Sequence, residues 1–200
     1  MAIDFKKESF SGHFPEIWRG ECKILPGGFK PAQSFPVGTV LRRGTPIKVD
    51  FESMTAAVAK IGDVLEGSTE TVLRLAKGHY FAVADVITKL GDGSKTPTVK
   101  SIDTTNTDYD AVTLSEAYTG LKKGDVIVES AAVGSGTAAP KYVPNMVVGA
   151  EKRFDGKGIP AIDAAYEAVV LYPSLAFTIP AECLNGPCMK LNPNILFIKQ

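Results

Sequence analysis

The sequence is poor in the residues that most often carry out chemistry. It has three cysteines, two histidines and one tryptophan among 200 residues. An odd and sparse set of cysteines argues against a secreted disulfide scaffold, so reduced thiols are expected at Cys22, Cys183 and Cys188. Cys183 and Cys188 are spaced closely enough for a hairpin disulfide or half of a metal site, but a structural zinc ion requires four ligands. We therefore favour two free thiols and predict no metal or other cofactor.

The chain also lacks an excess of charge of either sign. Its 22 acidic and 22 basic side chains cancel to a net charge of zero, which removes the broad positive field that nucleic-acid binding usually requires. The longest apolar runs fall far short of the roughly 20 residues of a membrane-spanning helix. The N-terminal sequence has no signal-type apolar core. Nucleic acids and membranes are therefore not expected partners, and we predict synthesis in the cytoplasm.

Sequence motifs of catalysis are missing as well. The chain has no phosphate-binding GxxxxGK[ST] loop, no GxSxG nucleophile turn and no HExxH pair. His13 and His79 have no sequence neighbour that would make either one a ligand or a base, and a single histidine in a turn is usually a surface residue. An enzyme built from dispersed carboxylates such as Asp163 and Glu167 is the least favoured hypothesis, because no base or nucleophile pairs with them. We predict a protein without enzymatic activity.

One cluster of acidic residues resembles a calcium loop. Asp103, Asp108 and Asp110 lie close to Asn106 in the sequence, and alternate acidic side chains can converge on one hard cation. An EF-hand also requires glycine at its sixth position and glutamate at its twelfth, and neither is present. Asn and Asp stabilise turns by bonding to nearby backbone. A turn is therefore the favoured interpretation of this segment.

What the sequence does contain is a short phrase that occurs four times: a small turn residue, then Thr or Asp, then Val, then Leu or Ile. It occupies residues 38–41, 62–65, 84–87 and 124–127. In each copy a permissive corner precedes a β-branched, apolar pair, which is typical of a turn that leads into a strand. The phrase predicts a compact all-β body and carries no chemistry of its own.

Composition divides the chain into four parts. Residues 1–34 carry dispersed aromatics among Pro and Gly without a helical or alternating period, which predicts an extended N-terminal arm. Its aromatics need a surface for burial, either the chain's own body or a neighbouring subunit. Residues 35–133 predict a body of short strands, 134–140 a flexible link, and 141–200 a small C-terminal β-rich part. The predicted fold is mainly β, with a compact β-barrel or β-sandwich-like body.

Turn residues predict where the individual strands begin and end. Residues 37–49 predict two strands joined by a turn, and residues 96–114 predict a hairpin across the sequence TTNTDYD. Residues 52–62 fit both a helical stripe and an alternating strand, and a strand or an irregular segment is favoured. Residues 161–171 fit either a short helix or a strand. The sequence NILFIK at residues 194–199 predicts a final strand.

Four runs of sequence resemble a known family: KGHYFAVADVITKL, TPTVKSIDTTNTDYDAVTLSEA, LKKGDVIVESA and NPNILFIKQ. In their order of turns and strands they resemble the head fibre and auxiliary capsid (decoration) proteins of tailed bacteriophages, especially phages of gut bacteria. The likeness covers roughly residues 35–200, and the SIDTTNTDYD hairpin and the closing segment are its most specific parts. It is a match of overall pattern and contains no catalytic signature.

The resemblance implies a virion component on the outer face of the capsid. Such proteins contact the major capsid protein, and several members form trimers, so a homotrimer is expected here. The family has no catalytic residues to carry over. Because this sequence has no extended repetitive shaft, a compact decoration module is favoured over a long fibre.

Two kinds of aromatic residue bear on the expected partner. The aromatics of the arm are the candidate capsid contacts, because dispersed aromatic anchors often carry interface energy: Phe5, Phe10, Phe14 and Trp18. An alternative function is a carbohydrate-binding β module without catalysis, because a fold alone does not fix function. Exposed aromatics at Tyr142, Phe154 or Tyr172 would support that alternative, although burial is expected for each.

Overall fold

The computed structural model describes residues 16–25, 28–90, 95–131, 139–157 and 160–199. Within them the chain is mainly β, as predicted, with seventeen short strands and two 3₁₀ helices. No helix in these ranges is long and apolar enough to cross a membrane. The strands are β1 (Lys23–Ile24), β2 (Lys30–Pro31), β3 (Val40–Leu41), β4 (Pro46–Asp50), β5 (Thr55–Val58), β6 (Ile61–Asp63), β7 (Val72–Ala76), β8 (Ile87–Lys89), β9 (Val99–Asp103), β10 (Tyr109–Leu114), β11 (Val126–Glu129), β12 (Met146–Val148), β13 (Lys152–Arg153), β14 (Ala164–Leu171), β15 (Leu184–Asn185), β16 (Cys188–Met189) and β17 (Asn192–Ile198). The 3₁₀ helices are Tyr172–Ser174 and Ala181–Cys183.

The largest sheet of the described chain curls into a half-barrel. Its strand order is β15-β16-β17-β14-β12-β4-β5-β2, and β1 pairs with β14 in addition. β14 runs parallel to β17 and antiparallel to β12, and β12 in turn pairs with β4. Strands from both sides of the predicted link at 134–140 therefore share one sheet, while the predicted domain boundaries themselves stay a prediction.

The chain is paired on both sides of that link, of which residues 134–138 lie outside the described residues. The Ala131 N–H donates to the Ala139 carbonyl oxygen over 2.9 Å, and the Lys141 N–H donates to the Glu129 carbonyl oxygen over 2.8 Å. The two flanks are thus held next to each other by backbone hydrogen bonds.

The described part of the predicted arm packs against the chain's own body. Its backbone runs antiparallel to β14, since the Arg19 N–H donates to the Val169 carbonyl and the Leu25 N–H to the Ala164 carbonyl, over 2.8 and 2.9 Å. Phe29 is buried in the same apolar cluster as β4, β5 and β12. Of the two surfaces considered for burial of the arm's aromatics, the described residues use the chain's own.

Two smaller sheets form the second half of the body in the described chain, in the orders β7-β10-β9 and β6-β11-β8. Buried and part-buried residues alternate along β7 and β10, as expected for strands with one face on a core. Leu73, Val112 and Ile127 meet there with the fully buried ring of Tyr118. The predicted hairpin across TTNTDYD is confirmed as β9 and β10.

Both segments that fitted a helix as well as a strand contain strands. Residues 52–62 contain β5 and the start of β6, residues 161–171 end in β14, and the predicted final strand is part of β17. The two strands expected within 37–49 are present as β3 and β4, but they do not pair with each other. β3 pairs with β13, whereas β4 pairs with β5 and β12, so the turn between them carries the chain from one sheet to another.

Candidate functional site

Three copies of the repeated phrase, all within described residues, begin with the same tight turn. At residues 36–39, 82–85 and 122–125 the N–H of the fourth residue donates to the carbonyl oxygen of the first, over 3.1, 3.1 and 3.0 Å. The third residue of each turn has a positive φ, and in the second turn that residue is Ala84, at 75°. A side chain in this region of φ is strained, so the surrounding bonds hold the turn in place.

The fourth copy is built differently. Gly62 lies inside β6 without a positive φ, and a Cβ there would come within 3.1 Å of Phe81 Cε2 and 3.2 Å of His79 Cβ. Glycine is needed at this position because the turn that carries His79, called the histidine turn below, packs directly over the strand. The phrase predicted a corner here, and the structure has a close approach of two segments instead.

Two of the matched turns present apolar side chains to water. Val37 and Val83 occupy the second, outermost position of their turns and are 74% and 61% exposed. The third turn has Lys123 at the same position. The two valine turns border one cleft, which is lined by Pro36 and Gly38 on one side and by Val83 on the other.

This cleft has a volume of about 550 Å³ and lies between the segments 34–42 and 78–83. Its apolar lining includes Phe35, Tyr80 and Phe81. The Tyr80 hydroxyl joins the two segments, because it donates to the Val40 carbonyl oxygen over 3.0 Å and accepts the Arg42 N–H over 3.1 Å. The spacing of the two walls is therefore fixed by the protein's own hydrogen bonds.

His79 lines the cleft but is 4% exposed, so the prediction of a surface residue is wrong. Its Nδ1 accepts the Phe81 N–H over 2.9 Å, which places the ring proton on Nε2, and Nε2 donates to Asp110 Oδ2 over 3.1 Å. Burial lowers the pKa of His79, against the opposing effect of the Asp110 carboxylate. Asp110 also accepts a hydrogen bond from Lys77 Nζ over 2.5 Å.

Both ring nitrogens of His79 therefore have partners inside the protein, and the ring is a structural element of the cleft wall. No local sequence pattern indicates this role, because Asp110 lies 31 residues further on, on β10. The remaining acidic residues of that segment form the predicted turn. Asp103 Oδ1 accepts the Thr105 N–H and Asn106 Oδ1 accepts the Asp108 N–H, each over 2.9 Å. Among the described residues, no cluster of three His, Cys, Asp or Glu side chains could hold a metal ion.

The structure also contains a second buried cluster of charges, which is not among the predictions from sequence. Lys60 Nζ lies 2.6 Å from Asp85 Oδ2 and 3.7 Å from Glu129 Oε2, and Glu129 Oε1 accepts a hydrogen bond from Lys141 Nζ over 2.6 Å. Lys60 also lines the cleft. The available signal was a lysine inside the apolar run AAVAKIG, since a lysine there is buried only when it is paired.

Another exposed apolar pair lies at the end of the β4–β5 hairpin. Phe51 and Met54 are both exposed there, and the Phe51 ring packs edge-on against Phe29 at a centroid distance of 5.8 Å. The Asp50 carboxylate fixes this turn by accepting the Glu52 N–H over 2.9 Å and the Ser53 hydroxyl over 2.8 Å. This turn and the two valine turns beside the cleft share one feature, which is an exposed apolar side chain on a turn held by hydrogen bonds.

Of the four predicted capsid-contact residues, Trp18 alone is described, and Phe5, Phe10 and Phe14 lie outside the described residues. Trp18 is half-buried, forms a β-bridge with Val170 and packs against the apolar cluster around β14 and β17. Much of its surface is therefore used within the chain.

The other singled-out residues also have structural surroundings. Phe154 is buried, and Tyr142 and Tyr172 are half-buried. Glu167 forms a surface ion pair with Lys23 over 2.8 Å, and no such partner is shown for Asp163 among the described ion pairs.

All three cysteines fall in described ranges and are unpaired there. Cys183 is buried, and burial raises its pKa to about 11. Cys188 lies in the β15–β16 hairpin opposite Asn185, so this hairpin does not place the two sulfurs as a cross-strand pair. In the described chain neither Cys183 nor Cys188 is joined to another cysteine, and their state as reduced thiols stays a prediction.

No family model, no curated protein and no solved structure matches this chain. Its function must therefore be inferred from its own residues. The features that the fold presents to a partner are the cleft and the apolar tips of the turns beside it.

Proposed function

We propose that this protein is a structural, non-enzymatic component of a tailed-phage virion that binds the outer surface of the capsid. The observation that carries this proposal is the pair of matched turns that present Val37 and Val83 beside the cleft. Each turn is closed by its own hydrogen bond, so its apolar tip is held in water in a fixed position. Apolar side chains presented this way lose little conformational freedom when a partner covers them.

The chemistry of the cleft supports a partner that is recognised by shape and apolar contact. The polar groups of His79, Asp110 and Tyr80 that line it are already bonded within the chain. Because these groups are already paired, the cleft offers a partner mainly apolar surface, which a protein can cover without any reacting group. The resemblance of residues 35–200 to head fibre and decoration proteins points to the major capsid protein as that partner.

Assembly as a homotrimer belongs to the same proposal. Three copies would bring three clefts to a repeating lattice, so each contact could be weak while the assembly stays bound. In this arrangement Phe5, Phe10 and Phe14 remain the candidate additional contacts of each copy.

Co-sedimentation with capsids that lack the protein tests the proposal. Replacing Val37 and Val83 together by serine removes apolar contact worth about 2 kcal/mol per subunit, which weakens a monomeric contact roughly 30-fold. The matched control is Leu191→Ser, which changes an exposed apolar residue outside the cleft. We expect the double variant to be depleted from the capsid pellet and the control to sediment like the unmodified protein.

Two further arms separate the alternatives. Deletion of residues 1–15 keeps Trp18 and tests the aromatic contacts without disturbing the strand pairing of β14. A purified protein that ignores capsids and binds a glycan would replace the virion proposal with the carbohydrate-binding alternative. Unchanged sedimentation of the double variant would instead show that the cleft is not the contact.

A further inference from the structure

Three buried ionisable side chains meet at one point beside the cleft. Lys60 follows β5, Asp85 closes the second matched turn, and Glu129 ends β11. Their side chains are 7%, 12% and 4% exposed. Taking these charges out of water is expensive, and a plain ion pair of this kind often adds little stability. The arrangement therefore calls for another explanation.

The geometry around Asp85 is that of a carboxyl group prepared for attack. Lys60 Nζ lies 2.6 Å from Oδ2, and the same oxygen accepts the Ala82 N–H over 2.6 Å. A backbone N–H at this position stabilises negative charge that develops on the oxygen when a nucleophile adds to the carboxyl carbon. The turn that contains the strained Ala84 keeps the group in place.

Glu129 is oriented toward the same lysine. Lys141 Nζ holds its Oε1 over 2.6 Å, which leaves Oε2 facing Lys60 Nζ at 3.7 Å. Oε2 is buried and has no hydrogen-bond partner among the described residues. A carboxylate held in this way can take a proton from the amine and deliver it to a departing oxygen.

We propose that Lys60 and Asp85 become joined by an intramolecular amide bond after the chain folds. One proton of the Lys60 ammonium passes to an oxygen of the Asp85 carboxylate, and the free amine adds to the Asp85 carboxyl carbon. The bond from Nζ to Cγ forms, and Glu129 takes a second proton from Nζ and delivers it to the oxygen that already carries the first. The bond from Cγ to that oxygen then breaks, and the oxygen leaves as water. No oxidant or cofactor takes part. The fold promotes the reaction because it holds the two groups at a high effective concentration. The reaction occurs once per molecule, since it consumes both side chains.

The chain contains a matched pair in which the same reaction is not expected. Asp125 occupies the corresponding position of the third turn, accepts the Lys122 N–H over 2.8 Å and pairs with Lys89 Nζ over 2.9 Å. This pair is more exposed, 32% and 18%, and in the described chain no second carboxylate pairs with Lys89. It differs from the buried site in solvation and in the lack of a residue equivalent to Glu129.

The bond would fix the cleft. It closes a covalent loop from residue 60 to residue 85, which includes β6, β7 and the histidine turn. The valine turn at 82–85 would then be tied to the body by more than hydrogen bonds. This modification does not depend on the capsid proposal, since the three residues could react in the isolated protein.

Mass spectrometry of the purified full chain tests the inference. We expect the folded and then denatured protein to be lighter than its sequence by one water molecule. Proteolysis should yield a branched peptide that joins the segment around Lys60 to the segment around Asp85, and no branched peptide that joins Lys89 to Asp125. An intact mass equal to the sequence mass, or a water loss located elsewhere, would overturn the proposal.

Variants separate the role of each group. Asp85→Ala removes the carboxyl group and Glu129→Gln removes the proton carrier with little change of shape, so both should recover the full mass. Lys89→Gln, the matched control, should keep the loss of water and the branched peptide. Circular dichroism checks that each variant is folded. If a variant does not fold, the presence or absence of the branched peptide in the unmodified chain still decides whether the amide bond forms. Water loss that persists in a folded Glu129→Gln protein would contradict the role of Glu129.

Discussion

A single methyl group added at Gly62 tests how closely β6 packs beneath the histidine turn. In Gly62→Ala the new Cβ would lie 3.1 Å from Phe81 Cε2, 3.2 Å from His79 Cβ and 3.4 Å from Leu75 Cδ1. The first two distances are shorter than comfortable carbon contacts. Neither ring can yield easily, because the two rings stack at 5.3 Å and His79 is bonded at both nitrogens.

The expected cost follows from this crowding. Overpacking a rigid site by one carbon destabilises a protein by about 1 to 3 kcal/mol. In a chain of this length that corresponds to a fall in melting temperature of roughly 2 to 12 °C. Glycine at this position has no positive φ, so backbone strain does not contribute. Alanine also lowers the conformational entropy of the unfolded chain, which offsets the packing cost by about 0.4 to 1 kcal/mol.

Urea and thermal unfolding followed by circular dichroism would measure the cost. The double variant Gly62→Ala with Phe81→Leu removes the ring that the methyl group meets first, so the methyl group should be tolerated better there than in the unmodified protein. A double-mutant cycle gives this coupling directly. A coupling of zero between positions 62 and 81 in that cycle would refute the close approach.

Two further predictions concern buried groups. Burial lowers the pKa of His79 below its ordinary value of 6.5, so the folded chain binds this proton less readily than the unfolded chain does. The contribution of neutral His79 to the free energy of unfolding is complete above pH 6.5 and is lost as the pH falls through that value toward the lower folded pKa. Between about pH 7.5 and pH 5 the free energy of unfolding should therefore fall less in His79→Gln than in the unmodified protein. An equal fall in the two proteins would contradict this prediction. Cys183, with its raised pKa and buried thiol, should react with a thiol reagent after Cys188, as mass mapping of the native protein over time would show. Equal rates for the two thiols would exclude the burial described for Cys183.

Local structure could be predicted from the sequence wherever turn chemistry decides it. The TTNTDYD hairpin forms as expected, because Asp103 and Asn106 bond to the backbone two residues further on. The phrase at 124–127 likewise marks a turn and the start of β11. These outcomes depend on neighbours in the chain, so a sequence pattern contains the needed information.

Pairings between distant segments could not be predicted in this way. The phrase at 62–65 has the same residue types as the other copies. Position 62 nevertheless needs glycine for a different reason, because the turn that carries His79, 17 positions later, packs against it. A single histidine in a turn predicts a surface residue, and this prediction is wrong for His79 because its partner Asp110 lies on another strand. The Lys60 cluster joins three segments that only the folded sheets bring together.

The central position of β14 has a consequence for how the chain reaches this structure. β14 pairs with β17 a short way downstream, with β12, and with β1, whose Lys23 lies 144 residues before its partner Glu167. Contacts between such distant segments are slow to form, because a long stretch of chain must be ordered before any of them is made. Folding is therefore expected on a scale of roughly milliseconds to seconds, as in other β proteins with distant strand pairs. Until β1 and β17 have joined, β14 exposes unpaired edges, and this waiting period is when newly made copies are most prone to associate wrongly.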